Sequence, residues 1–65
     1  METYQERVIA EKAALDELRE KLLAFFTTPL CGSLECAEQD RLSRQFSYMC
    51  SYSAVLEERI AAFAE

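Results

Sequence analysis

From Leu42 to Phe63 the chain reads LSRQFSYMCSYSAVLEERIAAF, and an apolar side chain returns every seven residues at Leu42, Met49, Leu56 and Phe63. Phe46 and Ile60 occupy the interleaved positions of the same seam, with Ser53 between them. A stripe spaced in this way and unbroken by Gly or Pro specifies an α-helix with one buried face. A second face of that helix carries Tyr48, Tyr52, Val55 and Ala62. One partner helix covers only one of the two faces, so the pattern predicts association beyond a single hairpin.

The length sharpens this constraint. Sixty-five residues make one domain, 1–65, and a chain of that size buries only about 60% of its unfolded surface. Disulfides, a metal or oligomerisation usually supply the rest. Three cysteines cannot close into a set of internal disulfides. The absence of His removes most zinc-site patterns. Oligomerisation remains, and a hydrophobic content of 51% agrees with it. A net charge of −5 disfavours DNA and RNA polymers, which call for a basic face, and equally disfavours an anionic membrane surface. It leaves room for a small anion in a local basic pocket. No apolar run approaches the roughly 18 residues of a membrane span. METYQERV at the start is too polar for a secretory signal. With unpaired cysteines, a cytoplasmic protein is expected.

Taken in order, Thr3 and Glu6 form a capping box, and a first helix is predicted over about 3–26. Its seam is Tyr4, Val8, Glu11, Leu15, Leu18, Leu22 and Phe25, broken only by Glu11. The connection, 27–36, contains Thr28-Pro29, a helix-start pair. It predicts a brief helical turn at Pro29 to Cys31 and a reversal near Gly32-Ser33. The second helix is predicted over about 36–64, with Glu35, Glu38 and Asp40 suited to its positive end. The expected fold is all-α: an antiparallel two-helix hairpin with a short helical turn in the connection, assembled into a symmetric helical oligomer.

Little here points to catalysis. There is no His and no Gly-rich phosphate loop, and Cys31, Cys36 and Cys50 have no His partner, so the chain is not expected to be an enzyme or to need a cofactor. The three cysteines are loosely spaced and lack a fourth metal ligand, so no metal site is expected. Cys50 reads as a small core residue. The cations say more. Relative to the first seam, Lys12 and Arg19 fall on one flank, Arg7 and Lys21 on the other, and the acids Glu6, Asp16, Glu17 and Glu20 on outer positions. The flanks of the second helix offer one acid, Glu57, beside Arg59. The remaining cations pair with another subunit, reach to water or hold an anion. Tyr4 is placed close to Arg7; a ring beside a cation is the minimal nucleotide-binding pair, and it is equally a core aromatic.

Several stretches then combine: Tyr4-Gln5-x-Arg7-Val8-Ile9-x-Glu11-Lys12, Leu15-Asp16, Leu22-x-x-Phe25-Phe26, Glu38-Gln39-Asp40-x-Leu42, Gln45-x-x-x-Met49 and Tyr52-Ser53-x-Val55-Leu56-x-x-Arg59-Ile60. In this order and spacing they resemble the small phage helical-hairpin family of anti-CBASS cyclic-nucleotide sponges, whose hairpin domain is shared with the anti-Thoeris sponges. The resemblance implies a homo-oligomer, typically a hexamer, in the cytosol of an infected host cell. It implies binding of cyclic di- or trinucleotides without cleavage, so that the defence effector they switch on stays off. It places the sites between protomers, with Tyr4 as the stacking ring and Arg7 and Arg19 as phosphate contacts. Arg59 is a candidate for a second kind of pocket. Similar sequences carry a Lys near position 18, where this chain has Leu18; Arg19 or Lys21 would stand in for it. A reading of a different class is a non-catalytic structural or adaptor hairpin that oligomerises and binds a protein partner through Tyr48, Tyr52 and Val55. The cations separate the two: they converge with Tyr4 across a subunit boundary in a sponge, and pair with acids or point to solvent in an adaptor.

Overall fold

Thr3 opens the fold in the computed structural model, which describes residues 3–64. Its hydroxyl accepts from Glu6 N–H at 3.1 Å, one half of the expected capping box, and α1 (Tyr4–Phe25) follows. Thr28 then serves two helices. Its Oγ1 donates to Phe25 O at the end of α1 (2.7 Å) and accepts from Cys31 N–H at the start of α2, Pro29–Gly32. Pro29 at the first helical position forgoes no hydrogen bond. Gly32 ends α2 as expected, yet no described residue has a positive φ. The reversal is held by a side chain instead: Gln39 Nε2 donates to Cys31 O (3.0 Å) and Leu34 O (3.1 Å). The last helix, α3, covers Cys36–Ala62. The expected domain also includes positions 1, 2 and 65, which lie outside the described residues.

Helices α1 and α3 run antiparallel in a rod 46 Å long. Tyr4 meets Phe63 at one end, Asp16 meets Ser53 at the middle and Phe26 meets Phe46 at the other. Val8, Leu15 and Leu56 form the core, with Met49, Ile60 and Phe63 packed against it. On α3 the expected seam holds throughout, since Leu42, Phe46, Met49, Ser53, Leu56, Ile60 and Phe63 are all buried or half-buried.

The expected seam of α1 needs correction. Leu18 is 57% exposed, and Glu11 also faces solvent. The buried and half-buried positions are Val8, Lys12, Leu15, Asp16, Arg19, Leu22 and Phe25, with Phe26 just beyond the helix. The helix is turned so that Val8, Leu15 and Leu22 stay inside while Lys12 and Arg19 replace Glu11 and Leu18. Asp16 comes with them, and the expectation that it lies on the outer surface fails too. Ser53 gives the reason. It is 5% exposed, and its hydroxyl needs a partner at that depth. Ser53 Oγ donates to Asp16 Oδ1 at 2.6 Å. Lys12 Nζ donates to Asp16 Oδ2, also at 2.6 Å, and lies 3.2 Å from Glu57. Arg19 closes the set at 3.4 Å from Asp16, with Nη1 3.6 Å from Cys50 Sγ. A Leu in this ring of polar groups would leave them unpaired, whereas the long stems of Lys12 and Arg19 cover apolar surface and carry their charges to it.

These hydrogen bonds shift three titrations, that of Arg19 upward through its bond to Cys50. Asp16 is held below the usual carboxylate range, first by its bond from Lys12 and then by that from Ser53. Lys12 is raised by its bonds to Asp16 and then Glu57. A lowered folded value means that the Asp16 contribution is present above the unfolded pKa and is lost as pH falls through the folded one. Stability should therefore fall on acidification below about pH 4, and Asp16→Asn should flatten that limb in urea titrations run across pH. The raised Lys12 contributes below its ordinary range and is lost above about pH 10. Leu56 is fully enclosed, so Leu56→Ala should cost about 2–5 kcal/mol in the same titrations.

Candidate functional site

At the open end of the hairpin, the first turn of α1 lies beside the last turns of α3. Tyr4, the first residue of α1, is 58% exposed. Arg59 reaches it from α3: Nη2 donates to the Tyr4 hydroxyl, and the guanidinium carbon lies 5.6 Å from the ring centroid. Phe63 supports the ring from behind, edge to face, with centroids 6.2 Å apart. The ring is thus fixed at its edge by an aromatic and at its hydroxyl by a cation, while much of its surface stays open. Arg7 follows one helical turn later on the same side. It is exposed and makes no ion pair among the described residues.

Three of the five residues singled out from the sequence therefore cluster: Tyr4, Arg7 and Arg59. Within the protomer Arg59 lies against Tyr4. The other two sit elsewhere on the protomer. Arg19 is about 22 Å further along α1, turned inward on Asp16 and Cys50, with its Nε enclosed and without an acceptor. Lys21 is exposed and lies 3.4 Å from Glu17 on its own helix.

A second feature lies on the outer face of α3. Arg41, Arg44, Gln45, Tyr48, Met49 and Tyr52 line an open groove of about 410 Å³. Tyr48, Tyr52 and Val55 are exposed there, Tyr48 by 68%. Arg41 pairs with Glu38 at 2.8 Å and Arg44 with Asp40 at 3.0 Å. These are exposed pairs within one helix, each a weak restraint. The sequence reading found the tyrosines but not the arginines. The available signal was the continuation of their four-and-three spacing backwards through Gln45 to Arg41. Cys31 is buried, Cys36 exposed and Cys50 half-buried, all as free thiols. Among the described residues no group of His, Cys, Asp and Glu is arranged to hold a metal ion, and no helix is long and apolar enough to cross a membrane.

The site is thus an aromatic ring and two guanidinium groups at the end of a small helical hairpin. That arrangement suits a planar anion. No match to the chain is found among the curated proteins or the solved structures. A family model does match, that described as Sequestin, over residues 2–62. Its name fits a sequestering protein and specifies no ligand. With nearly the whole sequence matched, the chain belongs to the Sequestin family.

Proposed function

We propose that this chain is a phage anti-defence protein that binds cyclic oligonucleotide second messengers, cyclic di- or trinucleotides, and sequesters them uncleaved, so that CBASS-type effectors are not switched on. The observation that carries this reading is the pairing of Arg59 with the exposed ring of Tyr4 in a member of the Sequestin family. The Tyr4 face accepts a base by stacking. Arg59 and Arg7 meet phosphate through charge-assisted hydrogen bonds, which a planar guanidinium makes two at a time. Lys21, and Arg19 if it exchanges Asp16 for phosphate, would contribute from a neighbouring subunit of a homo-oligomer, hexameric by the resemblance. Enclosure between subunits strengthens each contact by lowering the local dielectric.

An adaptor hairpin that binds a protein partner is the second reading. The exposed Tyr48, Tyr52 and Val55 favour it, as do the ion pairs of Arg19 and Lys21 with acids of their own helix. Thermal-shift and calorimetric titration with a panel of cyclic di- and trinucleotides separates the two. The sponge reading expects one or more of them to stabilise the protein, by about 2.7 kcal/mol at a hundredfold excess over Kd. It expects Tyr4→Ala and Arg59→Ala each to weaken binding, with loss of one base–ring stack worth roughly 1–3 kcal/mol. No stabilisation by any member of the panel would sink it.

A further inference from the structure

The contact between Arg59 and Tyr4 has a direction. A guanidinium carries only donors, so where Arg59 Nη2 meets the Tyr4 hydroxyl the oxygen is the acceptor. A phenol that accepts keeps its own proton and can donate it to one further group. Its neighbours do not take that proton. Phe63 packs against the ring edge to face, Arg59 donates, and Arg7, one turn along α1, is a second guanidinium. Among the described residues Tyr4 donates no side-chain hydrogen bond.

The surroundings also say what kind of acceptor fits. A phenol that accepts from a charged donor is polarised, which strengthens its own O–H as a donor. Arg59 and Arg7 make no ion pair among the described residues. With Nη2 on the tyrosine, the Nη1 and Nε groups of Arg59 still project from the same rigid plane. An anionic oxygen receives such donors in bonds roughly twice as strong as neutral ones. We infer that the Tyr4 hydroxyl donates to a phosphodiester oxygen of the ligand, while Arg59 both holds the phenol in place and meets the same phosphate with its remaining N–H groups.

On the sequestering reading, on which this role for Tyr4 rests, one side chain then serves two parts of one nucleotide. The base lies on the exposed face of the ring, and the phosphodiester lies at its hydroxyl rim beside Arg59. A ring that only stacked would be replaceable by phenylalanine. A ring that also donates is not, because the phosphate would lose a partner that nothing else on the helix supplies. The site favours a base joined to a charged phosphodiester over a free base, which reaches only the face, and over a neutral phosphate ester, which lacks the charge.

The test uses dimethyl phosphate, a phosphodiester anion without a base, so its result is separate from that of the cyclic-nucleotide panel. The full chain is isotopically labelled at tyrosine Cζ, the ring carbon that bears the hydroxyl, and titrated under nuclear magnetic resonance at constant ionic strength. The chain has three tyrosines; Tyr48→Phe and Tyr52→Phe, changes at exposed positions, assign the Tyr4 signal. That signal should move downfield and saturate, as a phenol does when it donates to an anion, while those of Tyr48 and Tyr52 stay. Trimethyl phosphate, which is neutral, should leave all three in place. In Tyr4→Phe the affinity, followed on the Arg59 Nε–H signal, should fall about tenfold or more, with helix content unchanged by circular dichroism. A Tyr4 signal that does not saturate with dimethyl phosphate overturns the donor role, as does a folded Tyr4→Phe variant that keeps wild-type affinity. An equal response to trimethyl phosphate overturns the preference for an anion. A panel in which no cyclic nucleotide binds, alongside a positive result here, would sink the sequestering reading and leave a phosphodiester site standing.

Discussion

The hydrogen bond from Ser53 to Asp16 sets the geometry on which the rest of the hairpin depends. A hydroxyl on the inner face of α3 requires an acceptor from α1 at the same depth, and Asp16 is that acceptor. A carboxylate so placed calls for cations, and Lys12 and Arg19 lie one turn to either side of it. Together they fix how α1 is turned about its axis. That rotation decides which residues face outward: Leu18 and Glu11 are expelled, and Tyr4 is left with most of its ring exposed where Arg59 can reach it. A polar set within the packed face thus serves orientation more than stability, since breaking such a set costs more than its presence contributes.

The legibility of the sequence follows the same division. Helix α3 could be read residue by residue, because its seam is apolar at every position but Ser53 and each of those positions is buried or half-buried. Helix α1 could not. Two frames share Val8, Leu15 and Leu22 and differ in whether Glu11 and Leu18 or Lys12 and Arg19 complete them, while Phe25 and Phe26 are both half-buried. Hydrophobicity favours the first frame through Leu18. The second wins because Ser53 and Phe46 on the facing helix supply partners for Asp16 and Phe26, and such partners are invisible to a periodicity taken one helix at a time. The connection was legible because Thr28, Pro29 and Gly32 each act locally. Gln39, which ties the loop from the next helix, acts at a distance and was missed.

The site was legible in its parts and not in its assembly. Tyr4, Arg7 and Arg59 stand out from the sequence, but 55 residues separate Tyr4 from Arg59, and only the antiparallel pairing brings them together. Arg19 shows the reverse error: a cation that looked unpartnered is engaged by an acid that looked solvent-facing. The consequence for recognition is a division of labour. The interior cations hold the hairpin in shape, and the cations at its end and on its outer faces remain for a ligand or a neighbour. A chain of this length cannot build a deep pocket by itself, and sequestration does not demand one. Affinity and copy number suffice.

Sequestration differs from every catalytic alternative in what happens to the ligand. The most direct measurement incubates the protein with a cyclic nucleotide that binds it, removes the free fraction, denatures the protein and identifies the released material by mass spectrometry. The account predicts the cyclic nucleotide recovered intact, in an amount fixed by the number of sites and unchanged by longer incubation. Recovery of linear or shortened products that accumulate with time would contradict it.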